Sequence, residues 1–280
     1  MKIIHLSDTH VGALDNGTRL ERIVDDILRL GAPENHVIVH TGDLIDTATQ
    51  QAMQEGHVIL SRLHNAGWRV LLCPGNHDYG NAARVDGVQA QQFREHFQSF
   101  IFGQQAPEFP VVHVVGSCAF IGLDSSEEEL GFFARWGAEG HLGQTQIGRL
   151  NSILDRHDLQ GLCKVLYLHH HPFLDSYAVK PDVGDRHGLR HWLTWATRRF
   201  RRLKDAHSLL QCIRDRVDVM LFGHKHFGQD YSYIAQSYGI AKALDASSST
   251  AMQMDIDRMR YRVLDTQTGQ IEVRIVHPAR

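Results

Sequence analysis

Residues 69–78 read RVLLCPGNHD: an apolar run, a proline and a glycine, then three side chains able to bind a metal or carry a proton. A short apolar run bounded by turn residues is the pattern of a buried strand, and Gly75 lets the backbone turn where that strand stops. The arrangement recurs along the chain. KIIHL at 2–6 is followed by Ser7-Asp8-Thr9-His10, and HVIVH at 36–40 by Thr41-Gly42-Asp43. A strand is read at 164–169 (KVLYLH), its apolar run KVLYL leading into His169-His170-His171-Pro172, and one over 217–222 (VDVMLF) leads into Gly223-His224-Lys225-His226. Helical spacing near 3.6 marks 18–30, 48–66 and 144–156, with Thr18 and Glu21 placed as a capping box. Further strands are predicted at 118–123, 230–235, 238–244, 259–265 and 271–276, the last two joined by a turn at Thr268-Gly269.

Strand–helix alternation of this kind builds an α/β fold in which helices cover the faces of a sheet. Ligands bind such folds beyond the carboxyl ends of the strands. Five strands would therefore deliver carboxylate, amide and imidazole groups to one rim. The 280 residues show no repeat or linker, so a single domain over 1–280 is expected, with irregular excursions at about 79–110 and 173–203.

Composition narrows the function classes. Hydrophobic residues make up 42% and charged residues 22%, as in an ordinary globular chain, and the net charge of −3 argues against general binding to nucleic acid or anionic membranes. Cys73, Cys118, Cys163 and Cys212 stand far apart without a CxxC pair, which gives neither a disulfide framework nor a structural zinc knot. The start MKIIHLSDTH enters a strand at once and lacks the apolar stretch of a signal peptide, so a cytoplasmic location is expected. Against four cysteines stand 20 histidines, the commonest metal ligand.

Oxygen and nitrogen donors without thiolate suit manganese, iron or zinc. More donors converge than one ion can take, and an Asp with an oxygen on each of two ions would bridge them roughly 3.5–4 Å apart.

Taken together, Asp8-Thr9-His10, Gly42-Asp43, Gly75-Asn76-His77-Asp78, a histidine before Pro172, and Gly223-His224-Lys225-His226 resemble the calcineurin-like metallophosphoesterases. Their pattern runs D-x-H, G-D, G-N-H-D/E, H and G-H-x-H, and the match spans residues 8 to 226. The resemblance implies a two-layer β-sheet sandwich flanked by helices, with a dinuclear metal site at its edge. It implies Asp8, His10 and His226 on the first ion, Asp43 bridging, and Asn76, His170 and His224 on the second. His170 is selected because it stands two residues before Pro172, and His169 is the runner-up. His77 would lie beside the substrate as proton donor or oxyanion stabiliser. Asp46 would orient His77, or else cap the helix that follows. The activity implied is phosphoester hydrolysis, with a water activated between the ions attacking phosphorus in line.

For the substrate, the resemblance leans towards small phosphodiesters. Protein Ser/Thr phosphatases of the superfamily carry GDxVDRG, whereas this chain reads Gly42-Asp43-Leu44-Ile45-Asp46-Thr47-Ala48 and lacks the arginine that grips a phosphomonoester. The SDTH, GNHD and HHHP segments look most like bacterial class III cyclic-nucleotide phosphodiesterases. The chain departs from them between about 174 and 202, where Trp192, Trp195 and Phe200 alternate with arginines. That segment is a packed helix, a lid or oligomer contact (a dimer fits), or a docking helix for a membrane or lipid-like substrate. The last keeps a lipid-linked or nucleotide-sugar diphosphate hydrolase as an alternative. A DNA-repair nuclease with the same motifs is the other, disfavoured by the acidic balance. A non-catalytic scaffold would be expected to have lost ligands that are all present here.

Overall fold

A computed structural model describes residues 1–81, 84–126, 139–173, 203–250 and 259–277. Two five-stranded sheets form the centre. The first has the order β12 (Ile271–Val276), β11 (Met259–Asp265), β1 (Lys2–Leu6), β2 (His36–His40), β3 (Arg69–Leu72). The second runs β10 (Lys242–Asp245), β9 (Val219–Phe222), β8 (Cys163–Tyr167), β7 (Cys118–Gly122), β6 (Val111–Val115). Strands β1, β2 and β3 are parallel, as are β7 to β10, while β11, β12 and β6 run antiparallel to their neighbours.

Alternation of side chains along the strands explains the layering. Ile3, Val37, Val39 and Leu71 turn inward and meet Phe120, Val165, Tyr167 and Leu221 of the other sheet in one buried cluster. Ile4, Leu6, Ile38 and Leu72 turn outward, against α1 (Asn16–Leu30) and α2 (Gln50–Asn65). Helix α1 offers Leu20, Ile23, Val24 and Ile27, the i, i+3, i+4, i+7 stripe that one helix face requires. On the far side, Leu166 and Met220 pack with Leu150 of α5 (Gly143–Leu154) and Leu209 of α6 (Ala206–Cys212). The result is helix, sheet, sheet, helix. Central strands buried on both faces explain why their sequences are nearly unbroken apolar runs.

Several expectations need correction. Helix α1 starts at Asn16, so Thr18 lies inside it and makes no capping box; the working N-cap is Thr49 of α2, whose Oγ1 accepts the Ala52 N–H at 3.2 Å. Residues 230–235 are not a strand: Asp230 Oδ1 accepts the Ser232 N–H at 2.8 Å and starts a short helix, α7 (Ser232–Ala235). The described residues of the stretch 79–110 form a two-stranded ladder of β4 (Gly80–Asn81) and β5 (Arg84–Val85), then α3 (Gly87–His96) and α4 (Gln98–Ile101). The Trp192 segment lies outside the described residues.

Candidate metal centre

The carboxyl ends of β1, β2 and β3 in one sheet and of β8 and β9 in the other meet at one edge of the sandwich. There the chain leaves ordinary backbone geometry. Asp8, His10, Asp43, His224 and His226 all have positive φ, between 48° and 71°. Left-handed backbone costs a side-chain-bearing residue of order 1 kcal/mol, and such strain persists only where the surroundings hold it. Here they do. The Asp8 N–H donates to Gly42 O and the His10 N–H to Asp43 O, both at 3.0 Å, so the loops after β1 and β2 zip together. Gly75 passes so close to Asp43 that a Cβ there would overlap its carboxylate. The buried Asp78 carboxylate accepts N–H groups from Gly75 at 2.8 Å and Ile45 at 3.0 Å, which locks that crossing.

Three groups of donor atoms result among the described residues, each within 4.8 Å among themselves: Asp8, His10 and His226; Asp43, His169 and His224; and, sharing His10 with the first, His10, Asp46 and His77. In the first, His226 Nε2 lies 3.0 Å from Asp8 Oδ1. In the second, His169 Nε2 lies 3.2 Å from Asp43 Oδ2 and 3.1 Å from His224 Nδ1. Several buried atoms at this edge have no hydrogen-bond partner: both ring nitrogens of His10, Asn76 Oδ1, His170 Nε2 and His224 Nε2. Buried polar atoms left unpaired are costly and rare, and cations at this edge would satisfy them. The donor set fits divalent metal.

Protonation is consistent with that fit. Burial pushes Asp8 up, yet the facing His226 and His169 imidazoles outweigh it and hold the carboxyl at about 2. Asp43 is likewise held well below the usual range, against burial, chiefly by His169 and His77. Burial alone would lower His169, but the Asp43 and Asp8 carboxylates raise it to about 9. Burial keeps His224 well below its ordinary value, in the neutral form a ligand needs.

The histidine before the proline is the main departure from expectation. His170 does not join the Asp43 cluster; its Nδ1 lies 2.7 Å from Ser125 Oγ, and its ring is wedged against Gly140. The cause is strand register. The Gly223 N–H still donates to His169 O at 3.0 Å, so the ladder runs on through His169. That residue therefore shares the inward face of Tyr167 and reaches Thr41 O of the opposite sheet at 2.8 Å. His171 packs on Phe222 and Tyr231.

His77 stands outside the Asp8 and Asp43 clusters and groups instead with His10 and Asp46. Its N–H donates to Asp43 Oδ1 at 2.9 Å, and its Nδ1 donates to the backbone oxygen of Asp46 at 2.6 Å. That commitment leaves Nε2 as the exchangeable nitrogen. The Asp46 carboxylate stands 3.4 Å from His10 Nδ1 and 3.7 Å from His77 Nδ1, between the two rings, and caps no helix. Two groups escaped the sequence reading. Ser125 follows β7 as the ligand loops follow their strands, and that position was its signal. Tyr79 and Arg94 both bond Asp124 Oδ2, at 2.6 and 2.5 Å, tying the GNHD loop to the end of β7.

Two sheets back to back, flanked by helices and carrying Asp/His clusters at one edge, make up the metallophosphoesterase fold. The chain belongs to the calcineurin-like phosphoesterase family, whose sequence profile matches residues 1–228, and it is a metal-dependent phosphoesterase. Among solved structures it is similar to the sulfate thiohydrolase SoxB of Thermus thermophilus (13% identity over 99% of this chain and 56% of that one, TM-score 0.48). It is similar also to an archaeal phosphodiesterase (11% identity over 98% and 99%, TM-score 0.43) and to the NAD nucleotidase of Haemophilus influenzae (12% over 98% and 49%, TM-score 0.47). The chain thus spans about half the length of the first and third. No curated protein matches the sequence. Among the described residues, no helix is long and apolar enough to cross a membrane.

Proposed function

We propose that the protein hydrolyses a small phosphodiester, with a cyclic nucleotide as the leading class, using two ions of manganese, iron or zinc. Asp8, His10 and His226 would hold the first ion, and Asp43, Asn76, His169 and His224 would hold the second. The observation that carries the reading is the pair of donor clusters, one with Asp8 and one with Asp43, beside a histidine, His77, whose N–H bonds Asp43 and whose Nδ1 bonds the Asp46 carbonyl. Two bound cations supply a nucleophilic water at neutral pH and neutralise charge on the phosphoryl oxygens.

The chain's own residues do the rest. Asp43 keeps one oxygen on the His77 N–H and turns the other towards His169, so its position is set from both sides. His77, protonated at Nε2, passes that proton to the departing alkoxide, while the Asp46 carbonyl holds the ring in place. Thr47 stands where the protein phosphatases of the superfamily carry an arginine, which supports a monoanionic diester over a dianionic monoester. Purified protein with Mn²⁺ should turn over bis-p-nitrophenyl phosphate faster than p-nitrophenyl phosphate. A panel of cyclic AMP, glycerophosphodiesters, nucleotide-sugar lipids and DNA then identifies the class. Full activity with a full complement of ions in Asp43→Ala, or a preference for the monoester, would overturn the proposal.

A further inference from the structure

After β10 the chain runs Ala246-Ser247-Ser248-Ser249-Thr250. Four consecutive hydroxyl residues read as a solvated turn on composition, yet here they are all 3% exposed or less. Each one bonds to a loop that carries candidate ligands. Ser248 Oγ donates to Asp8 O at 2.8 Å, and Thr250 Oγ1 to Thr9 O at 3.0 Å. Ser249 binds Ser7 twice, its N–H donating to Ser7 O at 2.9 Å and its Oγ accepting the Ser7 N–H at 3.1 Å. Ser247 Oγ donates to His226 O at 3.1 Å and accepts from Arg260 at 2.8 Å.

The pattern is selective. The bonds that the four hydroxyls make to ligand-bearing loops fall on residues 7–9 and on His226, which carry one donor cluster, while Arg260 anchors Ser247 from the other side. Two of the carbonyls held, those of Asp8 and His226, belong to left-handed residues with φ of 51° and 55°. A hydroxyl on the carbonyl fixes the peptide plane next to a strained residue, and so the direction in which its side chain leaves the backbone. Asp8 and His226 are also the pair whose side chains meet at 3.0 Å.

We propose that Ser247–Thr250 is a positioning strap that sets the affinity of one ion, the one held by Asp8, His10 and His226, and leaves the other ion's affinity unchanged. The proposal rests on the two-ion reading above. Outer partners of this kind typically change metal affinity by about 10- to 100-fold when removed.

The test is calorimetric titration of the full metal-free chain with Mn²⁺ alone. Ser248→Ala and Thr250→Val each remove one hydroxyl, the latter at nearly constant volume, while Thr250→Ser keeps it. The expected result is two sites in the wild type, one of them weakened about 10- to 100-fold in Ser248→Ala and Thr250→Val, and wild-type binding restored in Thr250→Ser. Equal weakening of both sites, or wild-type binding in both hydroxyl-deletion variants, would overturn the strap while leaving the two-ion reading intact. A wild-type chain that binds fewer than two ions would overturn the two-ion reading, and the strap's role with it. Thermal melting of the metal-free variants separates a general loss of stability, which lowers the melting temperature, from the one-site effect, which does not need to.

Discussion

Replacing His169 by Gln should abolish a proton that the wild-type protein must release when it takes up a cation. His169 is fully buried with Nε2 3.2 Å from Asp43 Oδ2, and that carboxylate, against burial, holds the ring at about 9. A ligating imidazole has to be neutral. At pH 7 His169 is protonated in nearly all chains, so cation affinity there lies on the order of 100-fold below its value well above pH 9. The direction follows from the raised value. The charged ring stabilises the metal-free fold fully below pH 6.5, and that contribution is lost as pH rises through about 9. Cation affinity should therefore climb about tenfold per pH unit from 7 towards 9. Calorimetric titrations in two buffers of different ionisation enthalpy, between pH 6.5 and 8.5, measure the protons released per ion. His226, raised by Asp8, adds its own proton at the other ion, so the diagnostic quantity is the loss of about one proton in His169→Gln. His170→Gln should change nothing. A pH-independent affinity, or a release that survives in His169→Gln and vanishes in His170→Gln, would refute the assignment.

His77→Ala should lower kcat by about 10²- to 10⁴-fold while calorimetry still counts both ions, because only proton transfer is lost. Gly75→Ala should remove ion binding, read by competition with a chelating dye, since the added methyl occupies the place of the Asp43 carboxylate; unchanged affinity would contradict the close crossing described here. Arg94→Ala leaves the buried Asp124 carboxylate without its cation and should destabilise the fold by about 3 kcal/mol in urea unfolding, with a loss under about 1 kcal/mol counting against that network.

Much of this molecule was legible because its central strands are buried on both faces, which makes RVLL or VMLF unmistakable and places polar residues at their ends. Strands β2, β11 and β12 fall where alternation predicts them. The failures have physical causes. Counting back from Pro172 picks His170, whereas the hydrogen-bond ladder, invisible in sequence, carries the strand past Tyr167 and turns His169 inward. Residues 230–235 alternate like a strand, but Asp230 captures the Ser232 N–H and winds them into a helix. The serines at 247–249 carry no periodic signal, because their partners lie more than 200 residues away at Ser7 and Asp8.

The donors are divided between the sheets. Asp8, His10, Asp43 and Asn76 follow strands of the first, and His169, His224 and His226 follow strands of the second. Neither sheet alone carries a full set for either ion, so two bound ions would act as rivets through the seam of the sandwich. A half-assembled chain has only part of each donor set, and metal uptake would report that both halves have closed. Stripping the ions should then loosen the seam at this edge first, while the far end, where Cys118 of the second sheet meets Thr266 of the first with Sγ 3.9 Å from Oγ1, stays shut.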